Sequence, residues 1–128
     1  MKKIGNICEK NALEFLKERG WWCHLFASTT SGQPCDVVAI RNNVAMLVDI
    51  KHCNQDTFSF ARVESNQESC FAYAEIKGNT HTGFVIYFEK QKDFYFLSYK
   101  DFVYLKKQGR NSVKFTELPK WGGALCTL

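Results

Sequence analysis

Two aspartates and a lysine, Asp36, Asp49 and Lys51, are the residues of this chain best placed to do chemistry together. They flank two apolar runs, Val37-Val38-Ala39-Ile40 and Val44-Ala45-Met46-Leu47-Val48, which are joined through Arg41 by Asn42-Asn43. Asparagine tolerates positive φ, so Asn-Asn suits a tight two-residue hairpin loop. Folding the chain there pairs Arg41 with Val44, Ile40 with Ala45, and so on down to Asp36 with Asp49. The two carboxylates then face each other on one side of a sheet, and strand alternation brings Lys51 to the same side. Like charges set opposite each other destabilise a hairpin, and a divalent cation between them removes the penalty. Carboxylates are hard oxygen ligands of the kind Mg²⁺ prefers. Such a metal binds a phosphate oxygen and acidifies a bound water, while a lysine orients the water or holds a second phosphate oxygen. The constellation therefore suits phosphodiester hydrolysis. The main-chain carbonyl of Ile50 is a further candidate ligand. Glu9 is another if the first helix brings it to the hairpin end; as the third residue after Asn6 it can instead serve a capping box.

The elements that must position these residues follow from periodicity. Asn6 reads as an N-cap, and Ile7, Ala12, Leu13, Phe15 and Leu16 give a helical apolar face that Gly20 ends. Trp21 to Ala27 reads as a strand, and Ser28 to Pro34 as a polar loop. After the hairpin, Thr57 to Phe60 suggests a short edge strand, and Glu64 to Lys77 a helix closed by Gly78. Gly83 to Phe88 and Phe94 to Leu97 are two more strands, Asp101 to Lys107 a short helix, and the tail reads as irregular. The order predicts an α/β fold with a mixed sheet, because hairpins give antiparallel pairs and a helix gives a crossover. The strands Val37 to Ile40 and Val44 to Val48 are apolar on both faces and should be covered on both.

Composition narrows the field. The chain of 128 residues suits one domain, residues 1–128, and its 23% charged and 45% hydrophobic content is that of an ordinary globular protein. No apolar run approaches the ~20 residues needed to cross a bilayer, and the N-terminus has no apolar signal segment. These features point to a cytoplasmic protein without a membrane partner. The formal charge of +4 permits nucleic-acid binding without requiring it. Six cysteines form no CxxC pair, which leaves zinc-ribbon and thioredoxin readings unsupported; most should be small buried fillers.

The spacing Pro34-Cys35-Asp36, twelve residues, then Asp49-Ile50-Lys51 resembles the PD-(D/E)XK nucleases, with one residue intruding between Pro and Asp. Glu9 on the opening helix, the Ser/Thr loop at 28–31 and Gly32-Gln33-Pro34-Cys35-Asp36 look like cellular Holliday junction resolvases. Phe58-Ser59-Phe60 followed by Asn66-Gln67 is similar to their RecU-like branch. The resemblance covers residues 5–100. It implies a restriction-endonuclease-like α/β/α core, with a central mixed β-sheet flanked by helices. It implies cleavage of branched DNA, four-way junctions above all, by a homodimer that uses Mg²⁺ or Mn²⁺ and no small-molecule cofactor. It would make Glu9, Asp36 and Asp49 metal ligands, Lys51 the catalytic base or water-orienting residue, and Gln67 a supporting contact. The chain departs from that branch in carrying Asp49 where a Glu is usual, and in being shorter than the bacterial housekeeping members, which leaves less chain for an arm that enters the junction.

Blander readings stand beside these. Asp36 can be a turn-proximal acid paired with Lys51, and Gln67 a solvent-facing polar residue on an amphipathic helix. A same-fold nuclease of nicking, mismatch or restriction type, a non-catalytic nucleic-acid-binding module, and an interaction protein with a surface ion pair are the rival functions.

Overall fold

The computed structural model describes residues 2–26, 35–125 and 128. Helix α1 (Lys2–Glu18) is followed by strands β1 (Trp22–Leu25), β2 (Val37–Arg41), β3 (Val44–Cys53) and β4 (Thr57–Ser59). Helix α2 (Ser65–Ile76), strands β5 (Thr82–Phe88) and β6 (Asp93–Ser98), helix α3 (Tyr99–Lys107), strand β7 (Ser112–Lys114) and helix α4 (Trp121–Leu125) complete the order. Five strands form one sheet in the order β1-β2-β3-β5-β6. All neighbours are antiparallel except β3 and β5, which the crossover through α2 makes parallel.

The hairpin register is the one the Asn-Asn turn dictates, with Arg41 opposite Val44 and Val37 opposite Val48. Asn42 and Asn43 both adopt positive φ, 51° and 66°, as a primed hairpin turn requires. Alternation then divides the core. Val37, Ala39, Met46, Val48 and Ile50 point to one face, where Ala12 and Leu16 of α1 and Trp121 of α4 cover them. Phe84, Ile86, Phe88 and Leu97 point to the other, under Phe71 of α2 and Phe102 of α3. Phe84 meets Phe71 and Phe102 edge-on, each at 5.3 Å between ring centroids. This aromatic cluster fixes α2 against the sheet, with Gln67 one turn before Phe71.

Several expectations change. Helix α1 starts at Lys2, so Asn6 lies inside it and Glu9 is no capping-box residue. Nothing in Lys2-Lys3-Ile4 stops a helix, and the turn that Asn6 suggested is absorbed. Strand β4 does not edge the main sheet; it pairs with β7 in a separate two-stranded ribbon, and Phe60 lies in a 3₁₀ turn after it. The tail, expected to be irregular, supplies β7, a 3₁₀ turn and α4, whose Trp121 is fully buried. Arg41 anchors it, donating from Nη2 to the carbonyls of Leu125 and Leu128. Finally, β2 is covered on one face only, since Ile40 is 45% exposed beside Trp22 at 60%. The loop at 28–31 and Pro34 fall outside the described residues.

Candidate active site

The β2–β3 ladder stops at Val37 and Val48, one step short of the aspartates. Asp36 leaves the strand in a bend, and its side chain takes over the pairing: Oδ2 accepts from the Ile50 N–H at 2.8 Å. Its own N–H donates to the Val48 carbonyl at 3.1 Å. In an extended strand a residue's N–H and C=O point to the same neighbour. The Ile50 carbonyl is therefore turned toward Asp36, at the edge where β2 has ended.

Asp49 is 1% exposed. Among the described residues, no donor makes a hydrogen bond to either of its carboxylate oxygens. Lys51 Nζ lies 3.0 Å from Oδ2, a close ion pair. Burial, and then the charge of Asp36, raise the Asp49 pKa to about 7, against the opposing pull of Lys51. Asp49 is thus a buried carboxylate under-supplied with donors and set beside a second carboxylate, an arrangement that a proton or a cation would relieve.

Lys51 is held from three sides. Besides the Asp49 pair, its ammonium donates to Gln67 Oε1 at 3.2 Å and to the Arg62 carbonyl at 3.3 Å. Gln67 Oε1 also accepts from the Glu64 N–H at 3.1 Å, at the start of α2. Two donors converge on that oxygen, so the amide orientation is fixed and Nε2 faces away from them. Gln67 is buried, at 7% exposure, where the sequence left a solvent-facing role open.

Glu9 sits in α1 near this group. Burial, then the charge of Asp36, raises its pKa. Cys8 beside it points its Sγ at the Lys51 carbonyl, 4.0 Å away, and its thiol is pushed up to about 12, chiefly by burial. The fold therefore brings Asp36, Asp49, Ile50, Lys51 and Gln67 together, with Glu9 as an electrostatic neighbour. Among the described residues, no three acidic, imidazole or thiol side chains converge closely enough to hold a metal ion as they stand. What fits a hard cation is the pair Asp36 and Asp49 with the Ile50 carbonyl: oxygen donors, with both carboxylates buried. The Arg62 carbonyl and the Glu64 N–H escaped the sequence reading because main-chain groups carry no residue signature. Cys8 had a signal, as the neighbour of Glu9.

Comparison with known proteins extends this geometry. Residues 25–125 match the sequence profile of the recombination protein U family. The chain belongs to that family. The match spans the hairpin, Lys51, Gln67 and both small helices that follow, and Glu9 lies outside it. Among solved structures, the chain is similar to Hjc of Archaeoglobus fulgidus, a Holliday junction resolvase from an archaeal hyperthermophile. The TM-score is 0.68 at 14% identity, over 90% of this chain and 94% of that one. That likeness shows the fold, a mixed sheet between helices. No curated protein matches the chain.

Proposed function

We propose that this family member is a metal-dependent endodeoxyribonuclease that hydrolyses phosphodiester bonds in branched DNA, with the four-way junction as its substrate. One observation carries the reading: Asp49, buried to 1% exposure, is set beside the carboxylate of Asp36 at the open end of a hairpin, under a lysine fixed from three sides. A surface ion pair would leave both carboxylates in water, whereas Asp36 and Asp49 are both buried.

In this reading Asp36, Asp49 and the Ile50 carbonyl would hold Mg²⁺ or Mn²⁺, with Glu9 as a further ligand from α1. The bound ion supplies Lewis acidity and a water acidified toward neutral pH. Lys51 lies two residues along the same strand face from Asp49, where its ammonium can orient the attacking water or hold a phosphate oxygen. Gln67 keeps that ammonium in place through Oε1, and its amide N–H₂ can donate to the same phosphate. A junction has two-fold symmetry, so paired cuts call for two active sites and a homodimer. The uncovered side of β1 and β2, with Trp22 and Ile40 exposed, is an apolar surface suited to a second copy. All of this fits a single cytoplasmic nuclease domain.

The test compares four-way junctions with linear and flapped duplexes, with and without Mg²⁺, for wild type, Asp36→Ala and Asp49→Ala. The proposal expects Mg²⁺-dependent cutting of the junction by the wild type alone. Equal cutting of linear duplex would remove the junction as the substrate, and equal cutting by the variants would remove the site.

A further inference from the structure

The chain has four arginines, and three of them engage their guanidinium donors inside the protein. Arg19 donates to the Phe15 carbonyl, Arg41 to the carbonyls of Arg19, Leu125 and Leu128, and Arg110 to the Glu117 carboxylate. Arg62 differs. Its side chain is exposed, and among the described residues no carboxylate forms an ion pair with it and no acceptor takes a hydrogen bond from it. Its guanidinium lies over the ring of Phe58, 5.3 Å from the centroid. A ring attracts the cation's charge without consuming its N–H groups, so the donors stay available to an anion.

The turn that carries Arg62 is also the one that holds the candidate catalytic lysine. The Arg62 carbonyl accepts from Lys51 Nζ at 3.3 Å. The turn is tied down on several sides. Ser59 Oγ accepts from the Ala61 N–H at 3.3 Å, and the Phe60 N–H donates to the Asn111 carbonyl at 2.9 Å. The Phe60 ring meets Phe102 edge-on, with centroids 5.0 Å apart. A carbonyl and a side chain of one residue cannot separate further than that side chain reaches. Bond lengths of about 1.5 Å keep the guanidinium within about 12 Å of the Lys51 ammonium, a span of a few nucleotides at about 3.4 Å of rise each. The anion that must come to a fixed distance from Lys51 during hydrolysis is the phosphodiester chain itself, and a guanidinium is the side chain whose planar fork matches a phosphate.

We propose that Arg62 is a positioning residue that grips a phosphate of the cut strand close to the scissile one. One residue then sets the lysine through its carbonyl and the strand through its guanidinium, which keeps the two in register. The proposal rests on the DNA-cleaving reading of the adjacent site.

The experiment first maps the cut that the wild type makes in a four-way junction with Mg²⁺. Binding of that junction is then measured in EDTA over a range of NaCl for wild type, Arg62→Gln and Arg62→Lys, with thermal melting to verify that each folds. Arg62→Gln is expected to bind about tenfold more weakly, and to lower the slope of log K against log [NaCl] by about one per protomer. Arg62→Lys, which keeps the charge without the planar fork, should keep the slope and recover part of the affinity. Methylphosphonates, each of which removes the charge of one phosphate, are then placed singly within about three nucleotides of the cut. At one position the wild type should lose about tenfold in binding and Arg62→Gln should lose nothing further, the signature of a shared contact in a double-mutant cycle. An unchanged salt slope in Arg62→Gln, or losses that add at every position, overturns the contact and leaves the nuclease reading standing. Failure of the wild type to bind or cut the junction overturns both.

Discussion

Removing the charge of Asp49 should stabilise the metal-free protein while abolishing its activity. The carboxyl pKa rises from 3.8 to about 7 on folding, because burial and Asp36 penalise the ionised form. A raised folded pKa favours the folded state while the group is protonated, and that contribution is lost as pH rises through the folded value. The loss thus begins near the unfolded pKa of 3.8 and is complete just above 7. Integrated from pH 5 to pH 8, it amounts to about 2–3 kcal/mol, or roughly 10 °C in Tm for a domain of this size. Asp49→Asn keeps the shape of the side chain, removes the charge and can donate to Asp36. In EDTA, thermal melts of the wild type should therefore fall from pH 5 to pH 8 by about 10 °C more than those of Asp49→Asn. Added Mg²⁺ should return most of the difference to the wild type at pH 8 and none to the variant, since the ion stabilises only the ionised carboxylate. Identical pH slopes for the two proteins in EDTA would refute the claim that Asp49 is a buried, under-compensated acid. Mg²⁺ stabilising both equally would refute its place in the metal site.

Lys51→Met should lower junction cleavage by about 10²–10³-fold, the scale of losing one group that stabilises a transition state, while circular dichroism reports an intact fold. Gln67→Ala removes the acceptor that the Glu64 N–H and the Lys51 ammonium share, so chemical denaturation should show a loss of about 1 kcal/mol; Gln67→Glu, which keeps the acceptor oxygen, should lose less. Phe71→Ala removes the ring that fixes α2 against Phe84 and should cost about 3–5 kcal/mol, read by the same denaturation. Trp22→Glu together with Ile40→Glu should convert a dimer to a monomer in sedimentation velocity without changing the monomer's melting, because both side chains are already half in water.

What the sequence could disclose and what it could not divide along a physical line. The hairpin was legible residue by residue, since two positive-φ asparagines fix the turn and a period of two fixes every partner after it. The end of the ladder was not, because Asp36 replaces a main-chain partner with its own carboxylate at Ile50, and alternation patterns do not register such an exchange. The β4–β7 ribbon was invisible for a related reason: three residues carry too little period, and their partners lie more than fifty positions away. The Asn6–Glu9 capping signal misled because a helix start is set by whatever fails to continue the helix upstream, and Lys2-Lys3-Ile4 continues it. At the site itself the split is sharper. Facing carboxylates at the end of apolar strands are costly, so their presence in a sequence already implies that something compensates them. The groups that hold Lys51 against Asp49 are the Arg62 carbonyl and an amide oxygen pinned by the Glu64 N–H, and any residue at 62 or 64 other than proline at the latter would offer the same atoms. The residues of a reactive site show in sequence because their charge is expensive, whereas the scaffold that aims them relies on main-chain atoms common to every residue and shows only in the fold.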